Sequence, residues 1–272
     1  MSKGKRLTFV QRLAYRLLRV TDIENITLRN AVKEFASSVP PGARILDAGA
    51  GLKPYATFFA HCNYESCDFA ECEDFYGNID DGRRDNLLAR HTLICNLDSI
   101  PVADDNYDFV LFTEVLEHVP APSAVLSELH RILKPSGTLF VTVPQGYGIH
   151  GEPYNFFNFT KYGLDLVLRE AGFEVTGMRE RGGYFYFLYD RLANAIPRIV
   201  LGYKDHMSIM MFILSPIHII LAYILGPLLL LLEPLDREKR FTMGYVSTAR
   251  KAGEVSGGLT SIKAVVSGAL DS

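Results

Sequence analysis

A doubly wound α/β fold is what this 272-residue sequence predicts, on three grounds. Short apolar runs alternate with stretches of helical periodicity from residue 43 to residue 175, the pattern of βαβ units whose parallel sheet is covered on both faces. The first apolar run, Ile45 and Leu46, ends in Asp47 and opens at once into Gly49-x-Gly51; such small residues let the chain turn sharply at a strand end and leave amides bare for a ligand. Polar residues also recur just past the later apolar runs, where open α/β sheets place their ligand crevice.

The elements follow in order. Over residues 6–20, Leu7, Val10, Leu13, Ala14, Leu17 and Leu18 recur at helical spacing with Arg12, Arg16 and Arg19 on another face. This predicts a basic amphipathic helix that either lies on an anionic membrane or caps the domain; an organelle transit peptide ranks behind both. A second helix is expected over 27–38, and Pro40, Pro41 and Gly42 turn the chain into a first strand at 43–47. A dinucleotide fingerprint would need a third glycine where Pro54 stands. Proline keeps Lys53 out of the helical conformation, so a ligand-wrapping loop is expected, with a short helix near 54–60. Further strands are expected at 64–68, 92–95, 107–112, 137–143 and 173–175, with helices at 122–133, 161–171 and 184–201. Residues 71–91 read as an irregular loop, either beside the crevice or simply solvated. Residues 207–232 carry no formal charge over 26 positions, a length that would ordinarily suggest a membrane span. The tail from 252 is rich in Gly and Ser and is expected to be flexible.

The opening stretch, together with Asp68, residues 96–101, residues 107–119 and residues 133–144, resembles class I S-adenosylmethionine-dependent methyltransferases over residues 25–180, with a further piece at 241–251. The resemblance implies a mostly parallel, seven-stranded Rossmann-like sheet with a hydrophobic helical insertion before the last strand. The chain then divides into a lead-in helix (1–24), a core (25–183), the insertion (184–238), the last strand (239–251) and a tail (252–272). It also implies S-adenosylmethionine as cofactor, held by Asp47, Gly49, Gly51, Asp68, Phe69, Asn96, Leu97 and Thr113. In that scheme Asp68 accepts from both ribose hydroxyls, since an ionised carboxylate only accepts, and Phe69 lies against adenine. Asn96, where the family often has Asp, meets the adenine amino group; the Leu97 amide meets a ring nitrogen; Thr113 and Glu114 lie at the methionine end. Residues 116–118 match a helix start common in the family, which favours a structural role for His118 over a catalytic one. His150, on the glycine- and proline-rich loop after the fifth strand, is the candidate general base. Asn155 and Asn158 stand where charged residues are familiar, which favours an apolar, aromatic acceptor site.

Composition limits the partners. A net charge of −3 argues against a nucleic-acid binder. Cys62, Cys67, Cys72 and Cys95 lack the close pairing that grips zinc, so free thiols in a reducing, cytoplasmic setting are expected, and no metal ion. The methyl acceptor is expected to be a small or lipid-linked molecule. The alternative is a module that binds the cofactor without turnover, and a nicotinamide oxidoreductase is weakened by Pro54. If residues 241–251 pair with strands made before residue 180, residues 207–232 cannot cross a bilayer once. They must bend, with breaks at Ser215-Pro216 and Gly226-Pro227, and either attach to the cytoplasmic face of a membrane or bury against the domain or a second copy as a homodimer.

Overall fold

The computed structural model describes residues 22–69, 91–202, 214 and 216–252, with 195–202 described by backbone. The expected helix at 6–20, most of the loop at 71–91 and nearly all of the tail lie outside the described residues. Helix α1 (Ile23–Ser38) begins where Asp22 accepts from the Asn25 amide, and it buries Leu28, Ala31, Val32, Phe35 and Ala36, the three-to-four spacing of one helical face. Strands β1 (Arg44–Ala48), β2 (Asn63–Asp68), β3 (Leu93–Ile94), β4 (Tyr107–Thr113), β5 (Leu133–Pro144), β6 (Phe173–Glu180) and β7 (Gly244–Lys251) form one sheet in the order β3-β2-β1-β4-β5-β7-β6. The first five are parallel, and β7 runs antiparallel between β5 and β6.

Alternate residues face opposite layers, as strand geometry demands. Ile45, Leu111, Phe140 and Val246 pack under α1, where Phe35 stacks on Phe140 with ring centroids 4.5 Å apart. Leu46, Val110, Phe112, Leu139 and Val141 pack on the other face against α2 (Pro122–Ile132) and α3 (Lys161–Glu170). Proline begins α2, where its missing N–H costs nothing, and Thr160 caps α3 by accepting from Gly163 at 3.1 Å.

Several local expectations are corrected. The helix at 54–60 is a short 3₁₀ turn, Ala56–Phe59, because Lys53 takes the left-handed conformation (φ 52°) ahead of Pro54. Strand β3 keeps two residues, and β5 starts earlier than expected because Leu133 already pairs with Tyr107 before a bulge. Residues 116–118 form a 3₁₀ turn rather than the start of an α-helix, which begins at Pro122.

Between β6 and β7 run α4 (Tyr184–Gly202), a π-helical turn (Ile220–Leu225), α5 (Gly226–Leu230) and a 3₁₀ turn (Glu233–Leu235). The π turn lies just ahead of Pro227, which cannot donate and crowds the preceding turn. No helix among the described residues is long and apolar enough to cross a membrane, and the pairing of β7 brings the chain back to the sheet as the topology required.

Candidate functional site

The carboxyl ends of β1 to β4 lie side by side along one edge of the sheet, where open α/β sheets place their ligand crevice. Asp47 lies opposite Ser66 of β2 and Leu111 of β4, is 1% exposed, and accepts from the Tyr64 hydroxyl at 2.6 Å. Burial pushes its carboxyl up to about 7, against the opposing pull of that hydrogen bond. Gly49 and Gly51 both have positive φ, 69° and 48°, and a side chain at Gly49 would meet Val115 at 2.7 Å. The bare amides expected of this turn are not bare. Gly49 and Ala50 donate to the Cys67 carbonyl at 3.0 and 3.1 Å, and Gly51 donates to Asp68 at 2.7 Å. The loop is thus tied to β2 by its own amides.

Asp68 also accepts from the Phe69 amide at 2.9 Å and is 3% exposed; burial raises its carboxyl and the two amides oppose that shift. Its carbonyl receives the Cys95 amide at 2.9 Å, which sets Asn96 and Leu97 just beyond β3. Thr113 ends β4 opposite Thr142. The structure therefore brings Asp47, Gly49, Gly51, Asp68, Phe69, Asn96, Leu97 and Thr113 to neighbouring strand ends. A buried acceptor carboxylate beside a glycine turn that admits no side chain suits a hydroxyl-bearing, cationic nucleoside.

Across the crevice, Glu114 holds a positive φ of 52°. Its carboxylate accepts from Thr142 Oγ1 at 2.8 Å and lies 3.1 Å from the buried Arg181 guanidinium. Arg181 also faces Glu24 of α1 at 3.5 Å, and burial raises the Glu24 carboxyl to about 8 despite that guanidinium.

His150 stands in the loop after β5, and the loop is strapped over the 116–118 turn. The Phe156 amide donates to the Glu117 carbonyl at 2.9 Å, and His118 Nδ1 bonds the Tyr154 carbonyl. His118 thus ties the loop to the 116–118 turn. Glu117 is fully buried, and His118 Nε2 and His150 Nε2 lie 3.7 and 4.0 Å from its Oε1. Burial first, then the Glu114 charge, pushes the Glu117 carboxyl well up. Sequence reasoning missed Glu117 and Arg181. An acid directly preceding His118 was a weak signal for the first; nothing local marks the second, whose burial is wholly tertiary. The expectation of no metal considered only the cysteines, and Cys62, Cys67 and Cys95 are free.

The family and the relatives that the chain matches are methyltransferases. Residues 23–187 match the family described as methyltransferase domain. The ubiquinone/menaquinone biosynthesis C-methyltransferase UbiE of Vibrio campbellii is 26% identical over 75% of this chain and 91% of that protein. UbiE of Paraburkholderia phymatum is 29% identical over 45% of this chain, which spans about half (53%) of that relative. A malonyl-(acyl-carrier protein) O-methyltransferase of Laribacter hongkongensis is 31% identical over 36% of each chain. Among solved structures, the cyclase SpnF is 22% identical with a TM-score of 0.51 over 93% of this chain and 86% of that one, a likeness of fold. By its matching domain, its relatives and its sheet order, the chain belongs to the methyltransferase-domain family and is a class I S-adenosylmethionine-dependent methyltransferase.

Proposed function

We propose that the enzyme methylates a hydroxyl oxygen on an apolar, lipid-linked acceptor presented at a membrane surface. One observation carries this reading: an exposed aliphatic face reaches the crevice loop through α4. Ala222 and Gly226 pack on Tyr189 and Ala193 of α4, while Ile217, Ile220, Ile224, Leu228 and Leu231 on the returning segment are all at least half exposed. On α4 itself, Arg191 lies over the Tyr147 ring of the crevice loop at 5.4 Å, and that loop exposes Ile149, Tyr154, Phe156 and Phe157. Apolar surface of this extent, next to an active site, suits a lipid phase or a greasy ligand.

When bound, S-adenosylmethionine supplies an electrophilic methyl carbon. The chain's own part is mostly position. Asp68 accepts from the ribose hydroxyls, Phe69, Asn96 and Leu97 hold the base, and Asp47 and Thr113 face the cationic methionine end. The acceptor's proton leaves at the Glu117–His118–His150 cluster, where His150 has the more exposed imidazole, its side chain 31% exposed against 15% for His118. The names of the relatives differ in the methylated atom, so that choice rests on the cluster. Incubating the full-length protein with methyl-labelled cofactor and separate membrane and soluble extracts tests the reading. Label is expected in the solvent-extractable lipids of the membrane fraction. Label confined to water-soluble small molecules or to protein would contradict it.

A further inference from the structure

We propose that Glu117, His118 and His150 form a binding site for a divalent cation of the zinc type, with an open position for the acceptor's hydroxyl oxygen. The inference rests on the hydroxyl acceptor proposed above and supplies the agent that deprotonates it. Glu117 is fully buried, and neither carboxylate oxygen has a hydrogen-bond partner among the described residues. Leaving such a group unpaired away from water is costly. The two imidazoles beside it offer no obvious donor. His150 Nδ1 meets the Gly148 carbonyl at 2.9 Å and His118 Nδ1 meets the Tyr154 carbonyl. A carbonyl only accepts, so each Nδ1 carries the hydrogen and each Nε2 presents a lone pair.

Three lone-pair atoms thus converge within 4.8 Å of one another, an arrangement that repels itself until something positive sits between. Carbonyl-anchored imidazoles are the usual outer support of metal-binding histidines. Tetrahedral zinc with bonds of about 2.0 Å sets its ligands roughly 3.3 Å apart, so the observed 3.7 and 4.0 Å to Glu117, and a separation within 4.8 Å between the imidazoles, need a contraction that the exposed loop carrying His150 can supply. One carboxylate and two imidazoles, with no thiolate, suit a borderline divalent ion and leave a position open. The Glu114 carboxylate is held by Thr142 and Arg181 and stays outside the set.

The chemistry balances without a redox partner. The cation binds the acceptor oxygen and weakens its O–H bond, and the proton passes to water. The oxygen's electron pair then forms the bond to the methyl carbon as the carbon–sulfur pair returns to sulfur. His150 acts here as ligand in place of a free base.

Purified full-length protein, stripped with chelator and then loaded with zinc or with cobalt(II) as a spectroscopic probe, gives the test. One cation per chain is expected, with cobalt showing the intense visible bands of a four-coordinate site. Glu117→Gln and His150→Ala should each weaken binding by roughly 100-fold or more, while His61→Ala should bind as the parent does. Retained cofactor binding shows that the variants fold. Substoichiometric binding, or equal binding by Glu117→Gln, would overturn the site. Turnover that survives chelation yet falls in His150→Ala would also overturn it and leave the free-base reading standing. A missing lipid product with intact cation binding would instead remove the acceptor reading alone.

Discussion

The ribose-binding role proposed for Asp68 rests on its position. Its carboxylate is fixed by two amides, Gly51 and Phe69, yet each oxygen has a further lone pair for a ligand. Asp68→Ala is expected to weaken S-adenosylmethionine binding by about 1.5–3 kcal/mol, the scale of hydrogen bonds to a charged group, as read by calorimetric titration. An unchanged affinity with a lowered Tm would make Asp68 a turn residue only. Asp47 has a different signature. Its carboxyl, raised by burial to about 7, is half protonated near neutrality, and a cationic ligand favours the ionised form. Binding should therefore release a proton, and affinity should rise as pH goes from about 6 to 8, levelling off above the folded value. Asp47→Asn should flatten that rise; a variant that keeps the full pH dependence would place its origin elsewhere.

Among the elements, the pairing of α4 with the returning segment is the least conventional part of the fold. It depends on Gly226, where an added Cβ would lie 2.2 Å from the Tyr189 ring, and on acids at the root of α4. Glu233 accepts from the Gly183 amide at 2.7 Å and Asp236 from Tyr184 at 2.6 Å, negative charges where a helix N-terminus favours them. Gly226→Val is expected to destabilise this pairing by about 1–3 kcal/mol, seen as faster hydrogen exchange over residues 216–232 with cofactor affinity unchanged. Unaltered exchange would show that Tyr189 yields and the packing is loose. The sheet itself was legible in the sequence: β1, β2, β4 and α3 fall within a residue or two of their expected bounds, since buried strands and an apolar helix face leave strong periodic traces. The site was legible at strand ends, because Asp47, Gly49, Gly51 and Asp68 mark them locally. What was not legible depends on distant partners. The turn amides look free until Cys67 and Asp68 claim them. Glu117 looks like part of a helix start until burial leaves its carboxylate alone with two imidazoles. The 3₁₀ turns replace helices where Pro54 and the strap at 154–157 override a favourable sequence.

At the scale of the whole molecule, Arg181 joins three elements, facing Glu24 of α1 and Glu114 past β4 from its place at the end of β6. The root of α4 follows at Gly183, where Glu233 and Asp236 of the returning segment accept from its first amides, so the strand ends and the exposed aliphatic face are joined through a short stretch of chain. On a bilayer, as proposed above, that face would bring the acceptor to the strand ends without a crossing helix. Flotation with anionic vesicles tests this most directly, using the full-length protein and a form with residues 207–232 replaced by a short polar linker. The account predicts that the full-length protein floats and that the replaced form, still able to bind S-adenosylmethionine, stays below. A full-length protein that remains at the bottom in detergent-free buffer as a soluble dimer would contradict it.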